Sequence, residues 1–298
     1  MGLQRVSETL VKVNPGEAAR LAREAQAFRA DIRRGFLEAM ARSPVVPLGD
    51  GTWVPSVPPW VGYRGPVSLY ADGGQWFTHG AFPVRDSLLG PLYAVFQEVI
   101  DPRSMEATFA LQVHEELMTD RNVAFSQPYY SRHPILHLRR GEVNAFTKAF
   151  YNAAASLADR ETYTFWEHYF HASPHKTHEE AWFLMENRWR LYLEDGDTLS
   201  LLPGIPRAYL EDGKTIEIDG MKSYFGPIRL SVRSELARGR IVARFECPSD
   251  RGPKVVRLRL PHPDGRRAVA VKGGTYRADE EAVLIEGFAG RADVTLKF

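Results

Sequence analysis

Cysteine is almost missing from this chain. Cys247 is the only one, so an intramolecular disulfide framework and a cysteine-based zinc site are both excluded, and a small buried thiol is the expected state. An excess of one charge is missing too. Thirty-eight basic residues against 37 acidic ones leave a net charge of +1, and no basic block supplies the footprint that nucleic acid or an anionic membrane surface needs. No apolar run reaches the roughly 18 residues of a membrane span. The stretch from Met1 to Val13 carries Arg5, Glu8 and Lys12 where a signal peptide needs an unbroken apolar core. The compartment stays open: cytoplasmic by default, periplasmic or secreted if the chain is a piece of something longer. G-x-G-x-x-G, Walker, H-E-x-x-H and G-x-S-x-G motifs are also absent, which removes the main support for nucleotide, zincin and α/β-hydrolase chemistry.

What is present is a globular composition of 44% apolar and 25% charged residues in 298 positions, enough for two domains at roughly 150 residues each. Its distribution marks a boundary. All six tryptophans and eight of the nine histidines precede residue 195. From Glu17 to Arg42 the residues Ala18, Leu21, Ala25, Phe28, Ile32, Phe36 and Met40 recur at the spacing of one helix face, with Asn14-Pro15 as a start signal and Ser43-Pro44 as a stop. Further helical patterns cover Ser87 to Ile100, Ser104 to Met118, Gly141 to Ala158 and Lys176 to Leu193. Prolines and glycines forbid a long helix between Pro44 and Pro83, a loop rich in rings that include Trp53, Trp60 and Trp76. Stacking on a sugar and anchoring on a helical scaffold are both open uses for such rings. After Gly196 the pattern alternates with period two, as in Ile228-Arg229-Leu230-Ser231-Val232-Arg233, with Asp212-Gly213, Asp264-Gly265 and Gly273-Gly274 as turns. The expected architecture is a helical-hairpin domain over residues 1–197, with the aromatic loop at 44–83, followed by an antiparallel β-sandwich over 198–298.

The densest chemistry runs from Tyr163 to His171 and on through Pro174-His175-Lys176-Thr177-His178-Glu179-Glu180-Ala181-Trp182. Histidines 168, 171, 175 and 178 follow no zinc-ligand spacing, so neither a metal nor another cofactor is expected. Glu167 lies between Trp166 and His168-Tyr169, where rings that exclude water would tune a carboxyl for general acid–base work. Equally, it could pair with Arg132 or Arg160 and only brace the loop. Glu179 and Glu180 open a helix, where carboxylates complement the macrodipole. Arg132-His133, after Tyr129-Tyr130, could grip a sugar hydroxyl or form a packed corner at Pro134, and Glu142 opens the next helix.

Helical hairpins, then Thr162-Tyr163-Thr164-Phe165-Trp166-Glu167, then Pro174-His175 and a terminal helix, then a β-sandwich, resemble the six-hairpin (α/α)6 glycosidases of the α-L-rhamnosidase style. The segments Leu201 to Arg207, Leu210 to Lys214 and Tyr224 to Pro227 resemble the connection to the sandwich in such proteins. The resemblance implies an inverting glycoside hydrolase in which Glu167 is the general base, and Arg85-Asp86 is similar to the family's acid loop. Only about half the helices of a complete ring can be counted, so the chain resembles the C-terminal half of such an enzyme. The expected catalytic residues are Glu167, Asp86 and Glu179. Trp166, Tyr169, His168, His178, Trp60, Trp76, Arg132 and His133 are expected to bind a carbohydrate. Two other readings stay open: a non-catalytic carbohydrate-binding or assembly module, and a lyase acting on an acidic polysaccharide. An incomplete ring also implies self-association, or an upstream half, through the stripe of Phe28, Ile32 and Phe36.

Overall fold

A computed structural model describes residues 2–57, 90–120, 123–124, 133–167 and 173–298. The chain is mixed helix and sheet, and among the described residues the α-helices come first, with ten of the fourteen strands after them. It divides into two compact units, Met1–Arg140 with Lys148–Phe183, and Gly141–Thr147 with Leu184–Phe298. Among the described residues no helix is long and apolar enough to cross a membrane.

The first unit begins with α1 (Gly2–Leu10) and α2 (Pro15–Arg42). Asn14 caps α2 by accepting the Glu17 N–H at 3.1 Å, and Pro15 occupies the first turn, where its missing N–H costs nothing. The apolar stripe of α2 is buried at Ala18, Phe36 and Met40, while Phe28 stands 60% exposed between them. A short hairpin, β1 (Val45–Pro47) on β2 (Trp53–Pro55), opens the proline-rich loop. Then come α3 (Gly90–Phe96), α4 (Met105–Met118), the two-residue strands β3 (Thr119–Asp120) and β4 (Val123–Ala124), and α5 (His133–Arg140). A packed corner at Pro134 is one of the two readings open for Arg132-His133 from sequence, yet Pro134 sits in the first turn of α5, the one helical place that tolerates proline. Two helices, α6 (Val143–Leu157) and α7 (Thr177–Leu191), frame the candidate site.

In the second unit, β5 (Tyr192–Asp195) follows α7 without a break and pairs with β6 (Thr198–Leu201). Asp195-Gly196 is therefore a hairpin turn, with Gly196 at φ +56, rather than the end of a helix. The remaining strands are β7 (Thr215–Ser223), β8 (Gly226–Glu235), β9 (Arg240–Glu246), β10 (Val255–Arg259), β11 (Ala270–Lys272), β12 (Thr275–Arg277), β13 (Ala282–Glu286) and β14 (Arg291–Lys297). They form two five-stranded sheets, ordered β12-β13-β10-β6-β5 and β11-β14-β9-β8-β7. Every pairing is antiparallel except β10 with β6. The alternation in β8 is literal, with Ile228, Leu230 and Val232 buried and Arg229 and Arg233 exposed. One hydrophobic core collects these residues with Leu199, Leu201, Phe245, Val256, Leu258 and Leu296, and Cys247 is a buried free thiol beside it.

Candidate functional site

The segment between α6 and α7 is built by local backbone bonds. Asp159 Oδ1 accepts the N–H groups of Glu161 at 2.8 Å and Thr162 at 3.3 Å, a turn that Asp favours, and these bonds hold its carboxyl below the usual range. Ala158 then bridges Phe165, and the Trp166 N–H donates to the Leu157 carbonyl at 2.9 Å. On its other side the segment is held by the Glu167 N–H on the Ser173 carbonyl at 2.8 Å and the Lys176 N–H on the Phe165 carbonyl at 2.9 Å. Phe165 anchors it, its ring tilted against Phe183 of α7 with centroids 4.8 Å apart, among Ala153, Leu157 and Trp182. Trp166-Glu167 is thus clamped between the end of one helix and the start of the next.

That clamp brings Glu167 to the N-terminus of α7. Lys176, just before the first helical residue, places its Nζ 2.8 Å from Glu167 Oε1. Lys176 is not among the partners considered from sequence, and of those two arginines Arg132 lies outside the described residues. The pair keeps access to solvent, with 33% of the lysine side chain and 21% of the glutamate exposed, so Glu167 is paired without being sealed.

Glu179 lies one turn into the same helix end and is buried, at 2% exposure. Its carboxyl pKa is pushed up to about 7. Burial is the largest cause, and the Glu167 charge pushes in the same direction. Its own backbone N–H and Lys176 pull the other way. A helix N-terminus favours a carboxylate by about 0.3–1 kcal/mol, up to ~2 in sheltered geometry. A rise from 4.5 to about 7 means that desolvation outweighs it. The site therefore holds one carboxyl paired with a lysine and, beside it, one whose pKa is pushed up to about 7.

His178 stands 3.5 Å from Glu179, Nδ1 to Oε2, and its Nε2 accepts the Trp182 indole N–H at 2.9 Å. Of the residues expected from sequence, the structure brings together Glu167, Trp166, His178 and Glu179. Asp86, Trp60, Trp76, Arg132, His168 and Tyr169 lie outside the described residues, as does His171.

His133 belongs to a second cluster that the sequence reading did not assemble. It faces His114 of α4 with ring centroids 5.4 Å apart and His137 of its own helix at 5.9 Å, and all three rings are buried. His137 Nε2 meets Glu115 Oε1 at 2.7 Å. Burial pushes His114 down to about 3 and holds His133 well below its usual value. The signal was available: His133 and His137 are four apart, on one helix face, and His114-Glu115 sits on a neighbouring helix. Among the described residues no group of three or more histidine, cysteine or acidic side chains is arranged to hold a metal ion.

No protein-family model matches the chain, and a search of curated proteins finds no relative.

Proposed function

We propose that this chain is a glycoside hydrolase, or the C-terminal portion of one, acting by inversion on a plant or microbial glycan. The observation that carries the reading is the Glu167–Lys176 pair: a carboxylate held 2.8 Å from an ammonium, partly open to solvent, next to Trp166 and at the mouth of a helix N-terminus. Such a group can take a proton from water as the water attacks an anomeric carbon. Glu179 is too buried to touch a glycosidic oxygen, so the acid role stays with Asp86 or with a residue beyond this chain. Inversion places the acid about 6.5–9.5 Å from the base, which leaves room for the water. The order of helices followed by two five-stranded sheets around one core supports the finer expectation of a partial (α/α) toroid and a β-sandwich. Two carboxyl groups against one lysine at the described site favour hydrolysis over a lyase acting on an acidic glycan, which would need cations there.

The test is turnover of a panel of aryl glycosides and plant and microbial polysaccharides, with the first-formed anomer read by proton NMR. Glu167→Gln is expected to lower kcat roughly 10²–10⁴-fold with KM little changed. Turnover unchanged in that variant, or glycan binding by the native chain with no turnover at all, would overturn the assignment in favour of another site or a binding module.

A further inference from the structure

We propose that Trp182 is a positioning residue: its indole N–H fixes His178 as the Nδ1-protonated tautomer, so that His178 presents a donor to the buried Glu179 and steadies the charge Glu179 places beside Glu167 and Lys176. The indole nitrogen of tryptophan can only donate. Because it donates to His178 Nε2 at 2.9 Å, that nitrogen must offer a lone pair, and the imidazole proton resides on Nδ1. Nδ1 is the atom 3.5 Å from Glu179 Oε2, an oxygen with no hydrogen-bond partner among the described residues. While Glu179 is protonated that contact is loose. Once it ionises, a neutral N–H is in place to shorten onto it, with no imidazolium formed.

Among the described residues, the groups facing Glu179 are Lys176 and His178 at the start of its own helix and Glu167 from the preceding loop. An ionised Glu179 draws on the same lysine as Glu167 and so places a second negative charge beside that pair. Trp182 is held for this task by packing that does not depend on its N–H, edge-on to Phe96 at 6.2 Å and against the cluster of Ala153, Leu157 and Phe165. The effect on Glu167 rests on the hydrolase reading, whereas the tautomer and its effect on Glu179 do not.

The experiment uses the full chain labelled with ¹⁵N-histidine and ¹³C-glutamate and is read by NMR without substrate, so its failure is distinct from failure of the Glu167→Gln assay. Native protein is expected to show His178 with its proton on Nδ1. Trp182→Phe keeps a ring for packing but loses the donor, and is expected to show mixed tautomers and a Glu179 midpoint raised by about one pH unit. His178→Ala is expected to raise the midpoint similarly, and His178→Gln, whose amide can both accept and donate, to restore it. A native His178 protonated on Nε2, or a Glu179 midpoint unmoved in both Trp182→Phe and His178→Ala, would overturn the proposal.

Discussion

Lys176 holds the loop of Glu167 twice over, once by its ammonium, 2.8 Å from the Glu167 carboxylate, and once through the backbone, where its N–H donates to the Phe165 carbonyl two residues earlier. One residue therefore holds both the backbone of the loop and the carboxylate of its glutamate. Replacing it with methionine keeps the stem and the backbone bond and removes only the charge. Because Lys176 also pulls the Glu179 pKa down, Lys176→Met is expected to move the Glu179 midpoint above about 7. On the hydrolase reading it should also cut kcat roughly tenfold or more. A ¹³C titration and a pH–rate profile on the same variant check both effects.

Glu179 should also write itself into stability. Its folded-state pKa is raised from 4.5 to about 7, so the folded protein binds more protons than the unfolded chain across that window. Stability from this group is full below pH 4.5 and declines as pH rises through 7. Glu179→Gln should flatten that slope and gain up to about 3 kcal/mol relative to the native chain between pH 5 and pH 8. Urea unfolding at the two pH values decides it, and equal differences at both would count against the assignment.

The buried histidines act with the opposite sign. His114 titrates near 3 in the folded protein against 6.5 when exposed, so the unfolded chain takes up the proton first as pH falls. Stability attached to this ring is complete above 6.5 and drains away toward 3, at a limit of about 1.4 kcal/mol per pH unit. His133, also held low, adds to the same acid limb. His114→Leu removes one proton uptake, so its acid-unfolding midpoint, followed by circular dichroism, should lie at lower pH than that of the native chain.

Where the chain's own periodicity and its tertiary partners agree, the elements are legible: α2 reads from its stripe and its Asn14 cap, and β8 and β9 from strict alternation. Where they disagree, tertiary pairing wins. Tyr192 and Leu193 continue the helical pattern from Lys176, yet the strand bonds to β6 make them the start of β5. In the same way α5 hides behind Pro134, which looks like a breaker and is a starter. Of the candidate site, Trp166-Glu167 announces itself by composition, but Lys176 is one cation among histidines with nothing local to single it out. Glu179 reads as a carboxylate at a helix start and as a catalytic candidate, and its burial leaves no mark on its own neighbourhood in the sequence. The three-histidine cluster needed two helices to be placed side by side before its members could be seen as one group.

The turn at Gly273-Gly274, flagged by sequence as a simple reversal, does more than reverse the chain. It carries the polypeptide from β11 in one sheet to β12 in the other. Gly273 has φ +92, and a Cβ there would stand 2.1 Å from the Asp293 carbonyl oxygen, a backbone atom that cannot swing aside. Gly287 has φ +62 with open space around it, so it shares the left-handed backbone without the collision. The pair separates the two costs. Gly287→Ala should lose only the left-handed penalty, about 1–2 kcal/mol. Gly273→Ala must add the overpacking of a sheet edge, another ~1–3 kcal/mol, as β11 is pushed off β14. Denaturant midpoints of the two variants, compared at constant m, measure the difference. Equal losses would mean that the close approach at Asp293 relaxes freely and that the crossing between the sheets is not pinned at this glycine.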